Sequence, residues 1–261
     1  MPAVVQYDIP GVGHVYSPDG PGPFAAILLL HGSEGGLGWL SHREAALFAA
    51  CGFLALPFTY SVGGNYWVGG DIWNVNLDTT EQVLLGLSAH ERCTGKVGLY
   101  GWSRGAEHAL LATALMAQAG SAHQPAAVAA HAPPDRVVGA WRNLFYRRRE
   151  QGDPIGPPPA WGFRTQRLIP GAAAWTWRGV PVAGDAPIPI EAYEGPIFLS
   201  VGDQDEIWSP DMAPRLAERL RSAGRAPELH VYEGQLHMPD PNTWNAHLDL
   251  LLGFFRRMLV A

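Results

Sequence analysis

The stretch Lys96–Thr113, KVGLYGWSRGAEHALLAT, sets a serine between two glycines where an apolar run gives way to a helix-like segment. A serine hydroxyl is a poor nucleophile at neutral pH and works only beside a base. Gly101-Trp102-Ser103-Arg104-Gly105 fits G-x-S-x-G, the pattern in which a sharp strand-to-helix turn lifts the hydroxyl above a sheet. Side chains at Gly101 and Gly105 would collide in so tight a turn. A serine that only caps a glycine-rich helix start is the alternative.

A serine of this kind needs a base and an acid later in the chain. His237, in YEGQLHMPDP, follows an apolar strand and precedes the last helix, where a loop can reach back over the sheet. Among the ten histidines, His247 is expected on the surface of the final helix, and His108 on the face of the helix after the serine. His131 ends a strand and precedes the acid, which makes it a weaker candidate. The acid must orient the imidazole and stabilise its charged form. SVGDQDEIW offers Asp203, Asp205 and Glu206; Asp205 is the best placed, with Asp203 expected to bond within the turn. The developing oxyanion needs two backbone N–H donors. Arg104 supplies one and the loop HGSEGG the other, at Ser33 or at Glu34, with glycines that allow close approach.

These residues need a scaffold. Apolar runs at 25–32, 53–60, 96–101, 126–133, 195–206 and 227–234 read as buried strands. Helical stretches at 41–52, 77–92, 104–118, 210–224 and 242–260 alternate with them, Ser41 and Asp78 serving as candidate caps. The pattern predicts a single α/β domain over 1–261, with a mostly parallel sheet and helices on both faces. Sites in such sheets form at the carboxyl ends of the strands.

Residues 133–190 break this rhythm and read as a cap or lid insertion, rich in Pro, Gly, Trp and Arg. Aromatic residues here and in the preceding loop, among them Tyr66, Trp67 and Trp141, either line an apolar substrate pocket or form the core of the cap itself. Arg142, Arg147, Arg148 and Arg149 form a cluster that would suit phosphate, or else a solvated helix face.

Composition narrows the function classes. With 47% hydrophobic and 16% charged residues, the chain can bury a large core. A net charge of -6 argues against general binding to nucleic acid or anionic membranes. Two distant cysteines, no signal-like N-terminus and no spanning apolar run predict a cytoplasmic protein without a membrane span. No metal spacing is present, no cofactor is expected, and a homodimer is left open.

LLLHGSEGGL, GWSRGAEHAL, AWTWRGVPV, APIPIEAYEGPIFLSVGDQDEIWSP and VYEGQLHMPDP together resemble the α/β-hydrolase fold. More closely, they resemble the catalytic domain of the acyl-CoA thioester hydrolase and bile acid-CoA:amino acid N-acyltransferase family, with dienelactone hydrolases as more distant relatives. The resemblance implies Ser103 as nucleophile, Asp205 as acid and His237 as base. A serine in that family's Ser-or-Cys position points to hydrolysis. Animal members carry an additional amino-terminal β-sandwich domain, and the loop SVGGNYWVGGDIWN and an elbow arginine depart from the family pattern. The expected activity is cleavage of an acyl thioester or carboxylic ester on a small acyl substrate. A carboxylesterase or lactonase acting on small substrates is the alternative, and a catalytically silent binding module the third.

Overall fold

The computed structural model describes residues 3–33, 38–63, 70–141 and 171–260. Glu34, Tyr66, Trp67, the arginine cluster at 142–149 and residues 142–170 of the expected insertion lie outside these residues.

The chain opens with an antiparallel hairpin, β1 (Val4–Ile9) and β2 (Gly13–Pro18). The sequence reading missed both strands. β1 has only one fully buried side chain, so no apolar run announces it. β3 (Phe24–Leu30) is buried along its length after Phe24, as a strand covered on both faces must be. Its side chains alternate strictly. Ala26, Leu28 and Leu30 enter one core, with α2 (Asp78–Ser88), α3 (Arg104–Gln118) and α4 (Met212–Ser222). Ala25, Ile27 and Leu29 enter the other, with α1 (Gly38–Ala50) and α5 (Pro241–Phe255). Each fully buried leucine contributes about 1.5–3 kcal/mol of transfer free energy, so both helix layers are held by burial on the same few strands.

Five more strands complete the main sheet: β4 (Leu54–Phe58), β6 (Cys93–Trp102), β7 (Ala127–His131), β10 (Ile197–Gly202) and β11 (Glu228–Tyr232). The eight strands run in the order β1-β2-β4-β3-β6-β7-β10-β11. From β4 onward all pairs are parallel; β2 meets β4 antiparallel at Tyr16 and Ala55. β4 lies on one side of β3 and β6 on the other, so the winding direction reverses at β3. That reversal opens a crevice at the carboxyl ends of β3 and β6.

A small second sheet joins β5 (Val75–Asn76), β8 (Trp175–Trp177) and β9 (Val180–Pro181). Arg178 and Gly179, both at positive φ, make the two-residue turn between β8 and β9. Asp78 does not cap α2, as the sequence suggested: Leu77 holds that position, and the Asp78 carboxylate accepts the Arg178 N–H at 3.1 Å. Ser41 likewise falls inside α1, which begins at Gly38. The chain leaves toward residue 142 and returns at 171 over a closed base, where Ala140 N–H donates to the Ala172 carbonyl at 3.1 Å. Among the described residues no helix is long and apolar enough to cross a membrane.

Candidate active site

Strand register places the chemistry. Trp102 pairs with His131 across β6 and β7, His131 with Ser200 across β7 and β10, and Gly202 with Tyr232 across β10 and β11. The residues that follow these strand ends therefore emerge side by side.

Ser103 follows β6 with φ 54° and ψ −120°, a conformation an L-residue adopts only when its surroundings force it. The glycines explain how. A Cβ on Gly101 would lie 2.1 Å from the Gly105 carbonyl oxygen, and a Cβ on Gly105 2.2 Å from the Leu30 carbonyl oxygen. The sequence reading had these two side chains colliding with each other. In the structure Gly105 is small so that α3 can press its first turn onto the end of β3. The Ser103 hydroxyl makes no capping bond to α3. The Ser103 N–H donates to the His131 carbonyl at 2.9 Å.

The loop after β10 carries the acids, and each has a separate task. Asp205 Oδ2 accepts from His237 Nδ1 at 2.8 Å, while Oδ1 accepts the N–H groups of Ile207 at 2.7 Å and Trp208 at 2.8 Å. Glu206 accepts the backbone N–H of His237 at 2.9 Å. Asp203 reaches out of its turn to accept the Gly234 N–H at 2.7 Å. A Cβ on Gly202 would lie 2.2 Å from the Gln235 carbonyl oxygen, so that glycine lets the acid loop lie against the histidine loop. With Nδ1–H given to the carboxylate, Nε2 of neutral His237 carries the free lone pair.

The structure thus joins Asp205 to His237 directly. It joins Ser103 to them by backbone, through His131, and no hydrogen bond links the Ser103 hydroxyl to His237. Ser103, Asp205 and His237 are buried, with 5%, 7% and 8% of their surface exposed.

Arg104 opens α3 with its N–H beside Ser103. Its guanidinium, which sequence reasoning did not consider, is buried: Nη1 lies 2.8 Å from Glu107 Oε2, Nη2 donates to the Gly139 carbonyl at 3.1 Å, and the group sits 5.2 Å from the Trp175 ring centre. Glu107 Oε1 accepts from Trp175 Nε1 at 2.7 Å and from the Val138 N–H at 2.8 Å. Burial pushes the Glu107 carboxyl upward, against the pull of Arg104. The GAE triplet after the serine was the one sequence signal for this pair, which ties the chain on either side of residues 142–170 to the elbow. Ser33 follows β3 and is partly exposed; Trp141 is buried in the core, its backbone paired with Ile72.

His108 and His247 depart from expectation. Both are fully buried. His108 Nε2 lies 2.6 Å from the Thr80 hydroxyl, and its ring packs edge-on to Tyr60 and Trp175. His247 sits between the hydroxyls of Tyr100 at 3.2 Å and Tyr232 at 2.9 Å. Desolvation lowers His108 to about 3 and His247 well below the ordinary value. Amphipathic periodicity alone could not separate a buried polar helix position from a surface one. Among the described residues no group of three or more His, Cys, Asp and Glu is arranged to hold a metal ion.

Solved structures place this architecture. A protein described as a dienelactone hydrolase from Klebsiella pneumoniae superimposes with a TM-score of 0.64 at 15% identity, over 98% of both chains. An α/β hydrolase from a Medee basin deep-sea metagenome library gives 0.59 at 14% identity, over 100% of this chain and 99% of its own. The chain has the α/β-hydrolase fold. A thermophilic esterase of that fold from Thermogutta terrifontis, solved with butyrate bound, gives a TM-score of 0.60 at 16% identity over 98% of this chain and 94% of its own. No family model matches the sequence. Among curated proteins, acyl-coenzyme A thioesterase 6 of Mus musculus is 28% identical over 87% of this chain and 51% of its own length. Acyl-coenzyme A amino acid N-acyltransferase 1 of Mus musculus is 26% identical over 88% of this chain and 52% of its own. The chain spans about half the length of the curated relatives it matches.

Proposed function

We propose that the protein is a serine hydrolase of acyl thioesters or carboxylic esters, with Ser103 as nucleophile, His237 as base and Asp205 as the acid that orients it. The observation that carries this reading is the Asp205–His237 bond at 2.8 Å, which leaves Nε2 free next to the loop of a serine held at φ 54°. Ser103 Oγ attacks the acyl carbon while His237 Nε2 takes its proton. The N–H groups of Arg104 and Ser33 hold the oxyanion, aided by the positive end of α3. The C–S or C–O bond then breaks, and His237 gives its proton to the departing thiol or alcohol. A water molecule, deprotonated by the same nitrogen, releases the acid and restores Ser103. In resting enzymes the serine–histidine bond is often long and tightens only around substrate, which suits the geometry here.

The likeness to acyl-CoA thioesterase 6 favours a thioester, with the acyl chain over the apolar rim of Leu236 and Met238, each about half exposed. Glu34, Tyr66 and Trp67 are proposed to complete the substrate site, and residues 133–190 to act as its cap, with Trp141 in the core rather than at the substrate. The likeness to solved esterases favours the second reading, an esterase or lactonase of small substrates. No cofactor enters either reaction. Two free cysteines, Cys51 and Cys93, fit residence in the reducing cytoplasm.

Turnover of palmitoyl-CoA against p-nitrophenyl butyrate separates the two readings. In either case Ser103→Ala should abolish the burst of product and the labelling by a fluorophosphonate probe, with the fold intact. A wild-type protein that is folded yet unlabelled, or a Ser103→Ala variant with an unchanged burst, would overturn the reading and leave a binding module.

A further inference from the structure

Ser103 and His237 stand on separate loops, 134 positions apart in the chain, and one residue touches the backbone of both. The His131 carbonyl accepts the Ser103 N–H at 2.9 Å. The His131 ring lies between Ser200 Oγ, 2.9 Å from Nδ1, and the His237 carbonyl oxygen, 3.3 Å from Nε2. A carbonyl only accepts, so Nε2 bears the hydrogen; in the neutral ring Nδ1 then accepts from the Ser200 hydroxyl. Burial holds the ring neutral, lowering its pKa to about 3. Both ring nitrogens are engaged, which removes His131 as a rival base.

The backbone here carries strain as well. Ala132, the next residue, has φ 48°, in the left-handed region that costs a β-carbon residue free energy. It is held there by its N–H, which donates to the Ser200 carbonyl at 2.7 Å. Side chain and backbone thus clamp residues 131 and 132 to Ser200 on β10, the strand whose end carries Asp205. The Ala132 bond closes the β7–β10 ladder, as any residue there would; the side-chain bond to Ser200 is what His131 adds.

We infer that His131 is a positioning residue that couples the serine elbow to the histidine loop, setting the reach from the Ser103 hydroxyl to His237 Nε2. The inference rests on the function proposed above, in which those two groups react together. The ring is not in contact with substrate; it acts through the carbonyl of residue 237, while Glu206 holds the N–H of the same residue. The base is gripped on both sides of its own backbone, and Asp205 fixes its ring.

Two isosteres separate the two bonds of the ring. In His131→Gln the amide nitrogen can stand where Nε2 stood and still donate to residue 237. In His131→Asn the amide reaches only as far as Nδ1 did, toward Ser200. The full chain of each variant is assayed with p-nitrophenyl butyrate, and its melting temperature is recorded. The low-field proton signal of the His237 Nδ1–H, assigned by its loss in His237→Ala, is followed by NMR. His131→Gln should keep most of the kcat and the sharp signal. His131→Asn should lose about 10- to 100-fold in kcat at nearly unchanged KM, the cost of a misplaced reacting group, with the signal broadened or shifted. Equal kcat and equal signals in the two variants, or losses that follow melting temperature alone, would overturn the inference. Should Ser103→Ala keep wild-type turnover, the functional reading falls separately, and the NMR contrast still decides whether His131 holds the histidine loop.

Discussion

Three acidic residues within four positions share one loop, and the fold gives each a different donor. Asp205 alone meets the imidazole, because its Oδ1 is already anchored by two backbone N–H groups and only Oδ2 points across to His237. Asp205→Asn keeps the size but places an amide against Nδ1, favouring the wrong tautomer. We expect kcat to fall on the order of 10³- to 10⁴-fold with little change in KM. A loss below tenfold in steady-state hydrolysis would show that the carboxylate does not orient the base. Ser103 was legible because its motif is local, five residues whose spacing alone implies a turn. The choice of Asp205 over its neighbours rested on its place in the loop, and the imidazole it meets lies 32 positions away. The buried side chain of Arg104 was illegible for the same reason: Glu107 is one helical turn on, but Gly139 and Trp175 lie far along the chain, on either side of residues 142–170.

The elbow as an element depends on absence of side-chain volume. Gly105→Ala would drive a methyl group to 2.2 Å from the Leu30 carbonyl oxygen and 2.5 Å from that of His31, both backbone atoms at the end of a buried strand. Neither can move without breaking the β3 pairing. We expect a loss of at least about 2–3 kcal/mol in urea unfolding, with activity falling further than stability as α3 lifts. Gly184→Ala, at an exposed glycine with open space around its Cβ and no positive φ, serves as the control. Equal losses at the two sites would show that packing against β3 contributes nothing. The parallel strands were legible since burial on both faces leaves unbroken apolar runs. The N-terminal hairpin was not: its turn residues Pro10 and Gly11 are a clear signal, but β1 is an edge strand with mixed exposure and no alternation. The β5-β8-β9 sheet escaped notice because its strands are two or three residues long, with β5 before the expected insertion and β8 and β9 within it.

Across the molecule, His31, His108, His131 and His247 are all buried in neutral form, the first at a pKa of about 4, the next two at about 3 and the last well below its ordinary value. Unfolding frees each to take a proton below pH 6.5, so the unfolded state binds more protons than the folded one. Stability is complete above that pH and declines as the solution is acidified toward the folded pKa values. Each histidine in that window removes about 1.4 kcal/mol per pH unit. Glu107, raised by burial, works in the opposite sense, one group against four. The urea midpoint should fall steeply from pH 7 to pH 5; a flat midpoint over that range would mean these rings protonate within the folded protein. The bonded pair Ala140–Ala172 has a consequence for how such a molecule can change over time. Because the polypeptide departs and re-enters through one narrow neck already knotted to the scaffold by Arg104, Glu107 and Trp175, the chain between 142 and 170 can lengthen, shrink or be exchanged wholesale without the proposed site sensing a different span. New specificities can then be tried on at that neck while the proposed chemistry below is inherited unchanged.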